Sequence, residues 1–551
     1  MTVWSAPGFV ATTSLVDIQW AAIAPELPPT AAALVLLLVA IARTRPLLVA
    51  GPVAAAGVAA GMAMITSGHA FAGGITVALA VALPALVIAF PGRQTLVQAW
   101  GAALSLVAAL ALTLWQVAGV VGVDGSGSMA AEVAFSGSLA NDGIAFFARL
   151  TVYLTALIVI PLGYGYLNDR RINRAEVESL ILLASVGFVA LATANDLITM
   201  FVALEIASLA LYVLAGLARR DRRSQEASLK YFVMGAVASA ILLYGMALVY
   251  VATGSVDLAV IGGTIGLATT PRMVAVLGLA LMTVGIGFKI ALAPFHLWVA
   301  DVYQGSPTNI TAFMAAATKA AGFAVVLRLY LVAFPSFASL WVPVLATLAA
   351  ASMLYGAYLA LVQSDIKRML AFSSITHAGY ATIGVVANSE AGLSATLWYL
   401  LTYAVATLGA FGCVVAVERR RRGEVTLLDL RGLGRSSPAL AGMLSLCLLS
   451  LAGIPATAGF VGKLVVFQAG IAAGLTWLVV IGIASSVVAA FFYLRIAGTM
   501  FLEEPDVARG LPVVTSGLSF GVAISAALVA YLGVQPQVLI DLAGAAAVLA
   551  R

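Results

Sequence analysis

Apolar runs long enough to cross a bilayer recur almost end to end in this chain of 551 residues. About 18–20 apolar residues span the hydrocarbon as an α-helix, and a helix closes every backbone hydrogen bond within its own segment, as lipid requires. Hydrophobic residues make up 63% of the chain and charged residues 9%, with a mean hydropathy of +1.09. The expected fold class is an all-α polytopic membrane protein, so the length divides by helices and not by globular domains.

About sixteen spans are expected, beginning near Ala22, Leu47, Phe71, Gln94, Gly143, Ser179, Leu197, Ser228, Arg272, Ser306, Ser339, Lys367, Leu393, Ala439, Gly474 and Val513. Phe71 to Gly119 reads either as two spans or as re-entrant pieces. Met1–Trp20 reads as a short exposed lead-in, without the basic opening of a cleaved signal peptide. Of 23 arginines, 18 follow odd-numbered spans: Arg43, Arg45, Arg93, Arg170, Arg171, Arg174, Arg219, Arg220, Arg222, Arg223, Arg368, Arg419 to Arg422, Arg431, Arg435 and Arg509. Basic loops stay cytoplasmic, so both termini are expected on the outer side. Arg149 and Arg328, inside spans, are exceptions.

A formal charge of +5 does not point to nucleic acid, because these arginines sit in short loops between spans. Gly122–Asn141 reads as an exposed loop and Glu418–Pro438 as a basic surface loop. Cys413 and Cys447 lie in apolar runs without ligand spacing and read as packing residues, with no metal or iron–sulfur site expected on them.

The lysines are placed differently. There are five, and only Lys367 reads as part of an ordinary basic loop. Lys289, Lys319 and Lys463 lie within spans and Lys230 near the start of one. Arginine holds its proton, whereas a desolvated lysine can release it. A charge at mid-bilayer costs on the order of 2.5–3.5 kcal/mol, so interior lysines point to function. Pro294 follows Lys289 by five residues, and Pro455 with Gly453, Gly459 and Gly462 surrounds Lys463. Both patterns predict interrupted helices. The Gly-Lys at 462–463 is no phosphate loop, since Leu464 replaces the hydroxyl residue and no strand precedes it.

Glu205 is the one acid in the middle of a clean apolar run, FVALEIASLALYV. An unpaired carboxylate there is costly, so an interior lysine is its expected partner, either as a static pair or as one that tunes a lysine's proton affinity. His296 in PFHLW and His377 in SSITHAGY each read as a proton relay or a carbonyl-bonding side chain. Lys230 reads as a snorkelling anchor or a cytoplasmic proton station. Asp301 and Tyr303 read as turn residues. The two interrupted lysine helices are five spans apart, as are Glu205 and His377. An odd offset reverses orientation, which fits two inverted five-helix repeats, about 179–333 and 339–500.

GFKIALAPFHLWVADVYQGSPTNITAF, the TKAAGF that follows, SDIKRMLAFSSITHAGY and SLAGIPATAGFVGK resemble subunit N of bacterial NADH-quinone oxidoreductase, respiratory complex I. The resemblance covers roughly 22–45 and 141–503. It implies a fourteen-helix antiporter-like core with inverted repeats, in which Glu205 is the acid partner, Lys289 the central lysine, Lys319 the bridging lysine and Lys463 that of the second half-channel. Three apolar stretches between Leu47 and Gly119, where the family usually has one, imply two additional spans. The implied organisation is an N-terminal helical region at 1–140, an antiporter-like core at 141–505 and a C-terminal helix and tail at 506–551.

By that resemblance the chain is expected to be a proton-translocating subunit of the bacterial plasma membrane. NADH, FMN, iron–sulfur clusters and quinone are expected on other subunits, and none on this chain. The expected partners are sister antiporter-like subunits, the small K-type subunit and lipid. A multisubunit monovalent cation/proton antiporter is the alternative, disfavoured by the scarcity of interior carboxylates. A scaffold with static ion pairs is a third reading.

Overall fold

The structure, a computed structural model, describes residues 19–20, 22–41, 58–59, 61–62, 64–65, 73–78, 82, 94–120, 131–172, 174–421, 423–505 and 512–547. The lead-in up to residue 18, most of the spans expected from Leu47 and Phe71, His69, Arg43, Arg45, Arg93, Arg422 and Arg509 lie outside the described residues.

Among the described residues, twelve helices are long and apolar enough to cross a membrane, and three shorter apolar helices accompany them. In chain order the helices begin with α1 (Leu27–Ile41), α2 (Gln94–Val120), α3 (Gly143–Gly163) and α4 (Arg174–Thr193). Next come α5 (Leu197–Ala215), α6 (Arg222–Thr253), α7 (Arg272–Ile290), α8 (Leu297–Gly305) and α9 (Thr308–Arg328). The second half holds α10 (Ala338–Leu361), α11 (Ile366–Val386), α12 (Glu390–Arg421), α13 (Pro438–Ala452) and α14 (Ala458–Ala472). The chain closes with α15 (Thr476–Leu502), α16 (Ser516–Val534) and α17 (Gln537–Ala545).

The helices sort by what surrounds them. Every residue of α9 is buried, and α11 and α12 are almost as enclosed. A helix apolar on all sides belongs inside a bundle. Around this centre the outer helices turn one stripe inward and one outward. On α5 the outward stripe is Ile198, Val202, Leu209 and Val213, each at least half exposed. Spaced four or seven residues apart, these share one helix face, and in a bilayer that face meets acyl chains or another subunit.

Both proline-marked spans are broken. Helix α7 stops at Ile290, Ala291 takes a left-handed φ of +63°, the Ala293–Pro294 bond is cis, and α8 resumes at Leu297. Helix α13 stops at Ala452, Gly453 at φ +84° serves as the left-handed cap, and α14 resumes after Pro455 and Ala456. Gly459 is required by close approach, since its amide bonds the Ser450 hydroxyl at 2.9 Å and a Cβ would run into the Ser450 carbonyl.

Three sequence expectations need correction. Residues 131–141 are not a plain exposed loop: Glu132–Ala134 pairs antiparallel with Leu139–Asn141, and the Asn195 amide bonds Ser138 of the turn at 2.8 Å. Pairing satisfies backbone groups that a loop would leave to water. Glu418–Pro438 is not a surface loop either. Glu418 is a buried residue of α12, and Val425, Leu427, Leu430 and Leu433 tuck a short helical segment against the bundle. Asp301 and Tyr303 are helical residues of α8, where the turn chemistry of Gly305-Ser306-Pro307 only ends the element.

Candidate functional site

Breaking a helix leaves carbonyls at its C-terminal end without intrahelical donors, and the aligned peptide dipoles make that end partly negative. The interior amines lie at those ends. Lys289 is in the last turn of α7 and 5% exposed. Lys319, on α9 and 3% exposed, donates to the carbonyl of Ile290 at 3.3 Å, the final residue of broken α7. It also donates to the Ser374 carbonyl of α11 at 2.7 Å. Lys463, on α14, donates to the Leu451 and Ala452 carbonyls that close α13, at 3.0 and 2.8 Å, and to the Ser486 hydroxyl at 2.8 Å.

Glu205 and Lys289 do not form the expected contact pair. The Lys289 ammonium donates to Ser208 at 2.8 Å, while the Glu205 carboxylate accepts from Ser239 at 2.5 Å. Ser208 lies three residues beyond Glu205 on the same face of α5, so about one helical turn separates the acid from the amine's partner. Beside them is a small, partly open space of about 10 Å³, lined in part by Ser208, Tyr212, Ser239 and Lys289. That is close to the smallest volume that holds one water. Glu205 is partly exposed, beside Val202 and Leu209 of the outward stripe of α5.

His377 is buried on α11 between the second pair of lysines. One ring nitrogen meets the Tyr399 hydroxyl at 2.6 Å and the other the Tyr493 hydroxyl at 3.3 Å. Its ring lies 4.9 Å from that of Tyr403, whose hydroxyl donates to Ser374, the residue holding Lys319. On the far side the His377 ring meets Tyr380 edge-on at 5.5 Å, and the Lys463 ammonium lies 4.8 Å from the Tyr380 ring centre. Phenols and hydroxyls therefore connect Lys319 to Lys463 by contacts at each step.

The remaining candidates fall elsewhere. His296 occupies the position just before α8 without capping it, packs on Tyr355, and has no hydrogen-bond partner on either ring nitrogen, so the carbonyl-bonding reading does not hold. Lys230 is not alone: it pairs with Glu226 at 2.6 Å and Asp301 at 2.8 Å, while Arg368 holds the other Asp301 oxygen at 2.7 Å. Lys367 corrects the reading of it as an ordinary loop residue. It is 4% exposed and donates to the Ser306 carbonyl at 2.6 Å.

Several charged groups escaped the sequence. Arg328 is fully buried and grips both oxygens of Asp142 at 2.8 and 2.9 Å, with the Ala192 carbonyl at 2.6 Å. Arg149 bonds Glu26 at 2.7 Å. Glu418 accepts from Arg170 at 2.5 Å, from Tyr166 at 3.1 Å and from Thr308. Burial, then the nearby Glu418 charge, pushes the Tyr166 phenol up, so it remains a donor. The interruption of apolar runs by Arg149 and Arg328 was the only sequence signal for any of them.

Residues 194–489, which contain Glu205, all five lysines, His296 and His377, match the family described as NADH:quinone oxidoreductase/Mrp antiporter, transmembrane. The chain is 48% identical over 382 residues to NADH-quinone oxidoreductase subunit N of Rhodococcus opacus, covering 69% of this chain and 71% of that protein. It is 40% identical over 411 residues to subunit N 1 of Solibacter usitatus, covering 74% and 85%. Among solved structures it superimposes on a chain of respiratory complex I from Thermus thermophilus with a TM-score of 0.69 at 36% identity, over 85% of this chain and 98% of that one. A chain of the Mrp complex from Dietzia sp. gives 0.74 at 25% identity, over 86% and 95%. The matched relatives carry the name subunit N, the fold is shared with both kinds of assembly, and the chain belongs to the subunit N family of bacterial NADH-quinone oxidoreductase.

Proposed function

We propose that this chain is the proton-translocating membrane subunit of an NADH:quinone oxidoreductase, and that protons move along Glu205, Lys289, Lys319, His377 and Lys463. The observation that carries this reading is the location of the amines. Lys319 and Lys463 are each held against the freed carbonyls of a broken helix, and hydroxyl and phenol groups fill the space between them. A carbonyl cradle stabilises an ammonium, while the hydroxyls beside it both donate and accept, as a proton relay requires. Ser208, Ser239 and the space beside them support a Glu205–Lys289 coupling through hydroxyls. Movement of the Glu205 charge relative to Lys289 would alter that amine's hold on its proton.

On this reading NADH oxidation and quinone reduction take place on other subunits, and this chain converts their energy into proton movement. Its partners are other membrane subunits of the complex, with sister antiporter-like subunits and the small K-type subunit at its ends. The bacterial inner membrane is its location. Both termini lie on the outer side, supported by the clustering of Arg170, Arg219, Arg223, Arg419 and Arg431 at one set of helix ends. Two inverted five-helix repeats are supported by the paired broken helices α7–α8 and α13–α14, each beside a buried lysine. With two further spans near the N-terminus the whole would reach about sixteen.

The test is NADH-driven proton uptake by inverted membrane vesicles, normalised to assembled complex, with Lys289→Met, Lys319→Met and Lys463→Met. Each should lose pumping. Normal uptake in all three would reject the amine path and leave a scaffold.

A further inference from the structure

A cavity of about 1240 Å³ opens at the arginine-rich end of the bundle, outside the proposed proton path. Its walls come from the segment between α3 and α4, the turn between α5 and α6, and the chain just after α12. We propose that it binds the phosphate headgroup of an anionic membrane phospholipid.

The charges lining it are unevenly matched. Asp169 is engaged by Arg419 at 2.8 Å, Glu424 by Arg223 at 2.6 Å, and Glu176 lies 3.8 Å from Arg219. Asp221 caps α6 and Asp429 closes a capping box with Thr426. Arg170 is committed to Glu418. Arg171, Arg220 and Arg222 also line the cavity, all are exposed, and none has an ion-pair partner among the described residues. Arg222 begins α6, where the positive end of the helix dipole disfavours a cation. An anion between these guanidiniums relieves both the mutual repulsion and the dipole conflict, and a guanidinium fork fits phosphate oxygens in pairs.

What makes the anion a lipid and not a soluble phosphate is the surface next to it. Arg222 shares a face of α6 with Leu229 and Val233, seven and eleven residues on, which are 63% and 50% exposed. On α5, Leu209 and Val213 are 54% and 53% exposed, and run down to the buried floor residues Leu217 and Ala218. Two apolar stripes thus end at one cluster of free arginines, the arrangement an acyl-bearing phosphate fills. Basic pockets of this kind at membrane level take acidic headgroups, at about a fivefold gain in binding per basic residue.

The experiment uses the purified, delipidated complex, titrated with phosphatidylglycerol or phosphatidylcholine, with bound lipid counted by native mass spectrometry. The intact complex should retain phosphatidylglycerol selectively. R171Q/R220Q/R222Q should weaken that retention on the order of a hundredfold, the corresponding triple lysine variant should restore most of it, and Arg272→Gln should leave it unchanged. If the triple glutamine variant does not assemble, Arg220→Gln alone should still show roughly the fivefold step. Equal retention by the wild type and the glutamine variants would overturn the proposal. So would displacement of phosphatidylglycerol by inorganic phosphate at equal concentration, which would make the site one for a soluble anion.

Discussion

The Lys463 ammonium lies 2.8 Å from the carbonyl of Ala452, the last helical residue before the break that Gly453 and Pro455 impose on the span. Lys319 stands in the same relation to Ile290, at 3.3 Å, at the other break. A cation is thereby placed at the negative end of a half-helix twice over, in surroundings that would otherwise expel it.

If Lys463 only caps α13, another cation of similar reach should replace it. Lys463→Arg keeps the charge and the donors but does not release a proton usefully. The expected outcome is normal assembly on native gels with proton pumping lost to about background, a loss of tenfold or more of the kind that follows removal of an acid–base group. Pumping preserved in Lys463→Arg would assign the residue to structure.

The coupling of Glu205 to Lys289 runs through hydroxyls. Ser208→Ala removes the acceptor of the Lys289 ammonium and should cost about 1.5–3 kcal/mol of local interaction. Pumping should fall in the same direction as in Glu205→Gln, and the double variant should add little. Fully additive losses, read as proton uptake per NADH oxidised, would mean two independent sites.

Asp142 and Arg328 lock α3, α4 and α9 together near one end of the bundle. Arg328→Ala takes the guanidinium away from a buried carboxylate and should destabilise the subunit by about 3–5 kcal/mol. The change should be visible as early loss of the complex on heating detergent-purified samples. R328M/D142L, which removes both charges, should recover most of that loss. No recovery would show that the carbonyl contacts of Arg328 matter more than the ion pair.

Ala291 is held at φ +63°, where a side chain costs about 1 kcal/mol or more relative to glycine. Ala291→Gly should raise the midpoint of thermal inactivation slightly or leave it unchanged. Ala291→Val should lower it clearly, because a β-branched residue fits that region worst.

Asp301 joins α8 to α6 through Lys230 and to α11 through Arg368. Asp301→Asn should increase amide hydrogen exchange across residues 297–305 severalfold while leaving α9 unaffected, since α9 is enclosed on all sides. Unchanged exchange in α8 would show that apolar packing alone holds the half-helix.

Much was legible in the residues themselves, because it depends on neighbours along the chain. Run length and hydropathy determined that the helices sit in lipid. Pro294, Gly453 and Pro455 determined where two of them break, and apolar surroundings marked Lys289, Lys319 and Lys463 as buried. The motifs around those lysines determined the family. Partner choice was decided only by the tertiary structure. Lys289 meets Ser208 across 81 residues and not Glu205, Arg328 meets Asp142 across 186, and Lys367 turns inward from what read as a basic loop. Periodicity fixes which face of a helix a charge is on. Which group it meets there depends on how distant helices are rotated and stacked against one another, and that follows from the packing of the whole bundle.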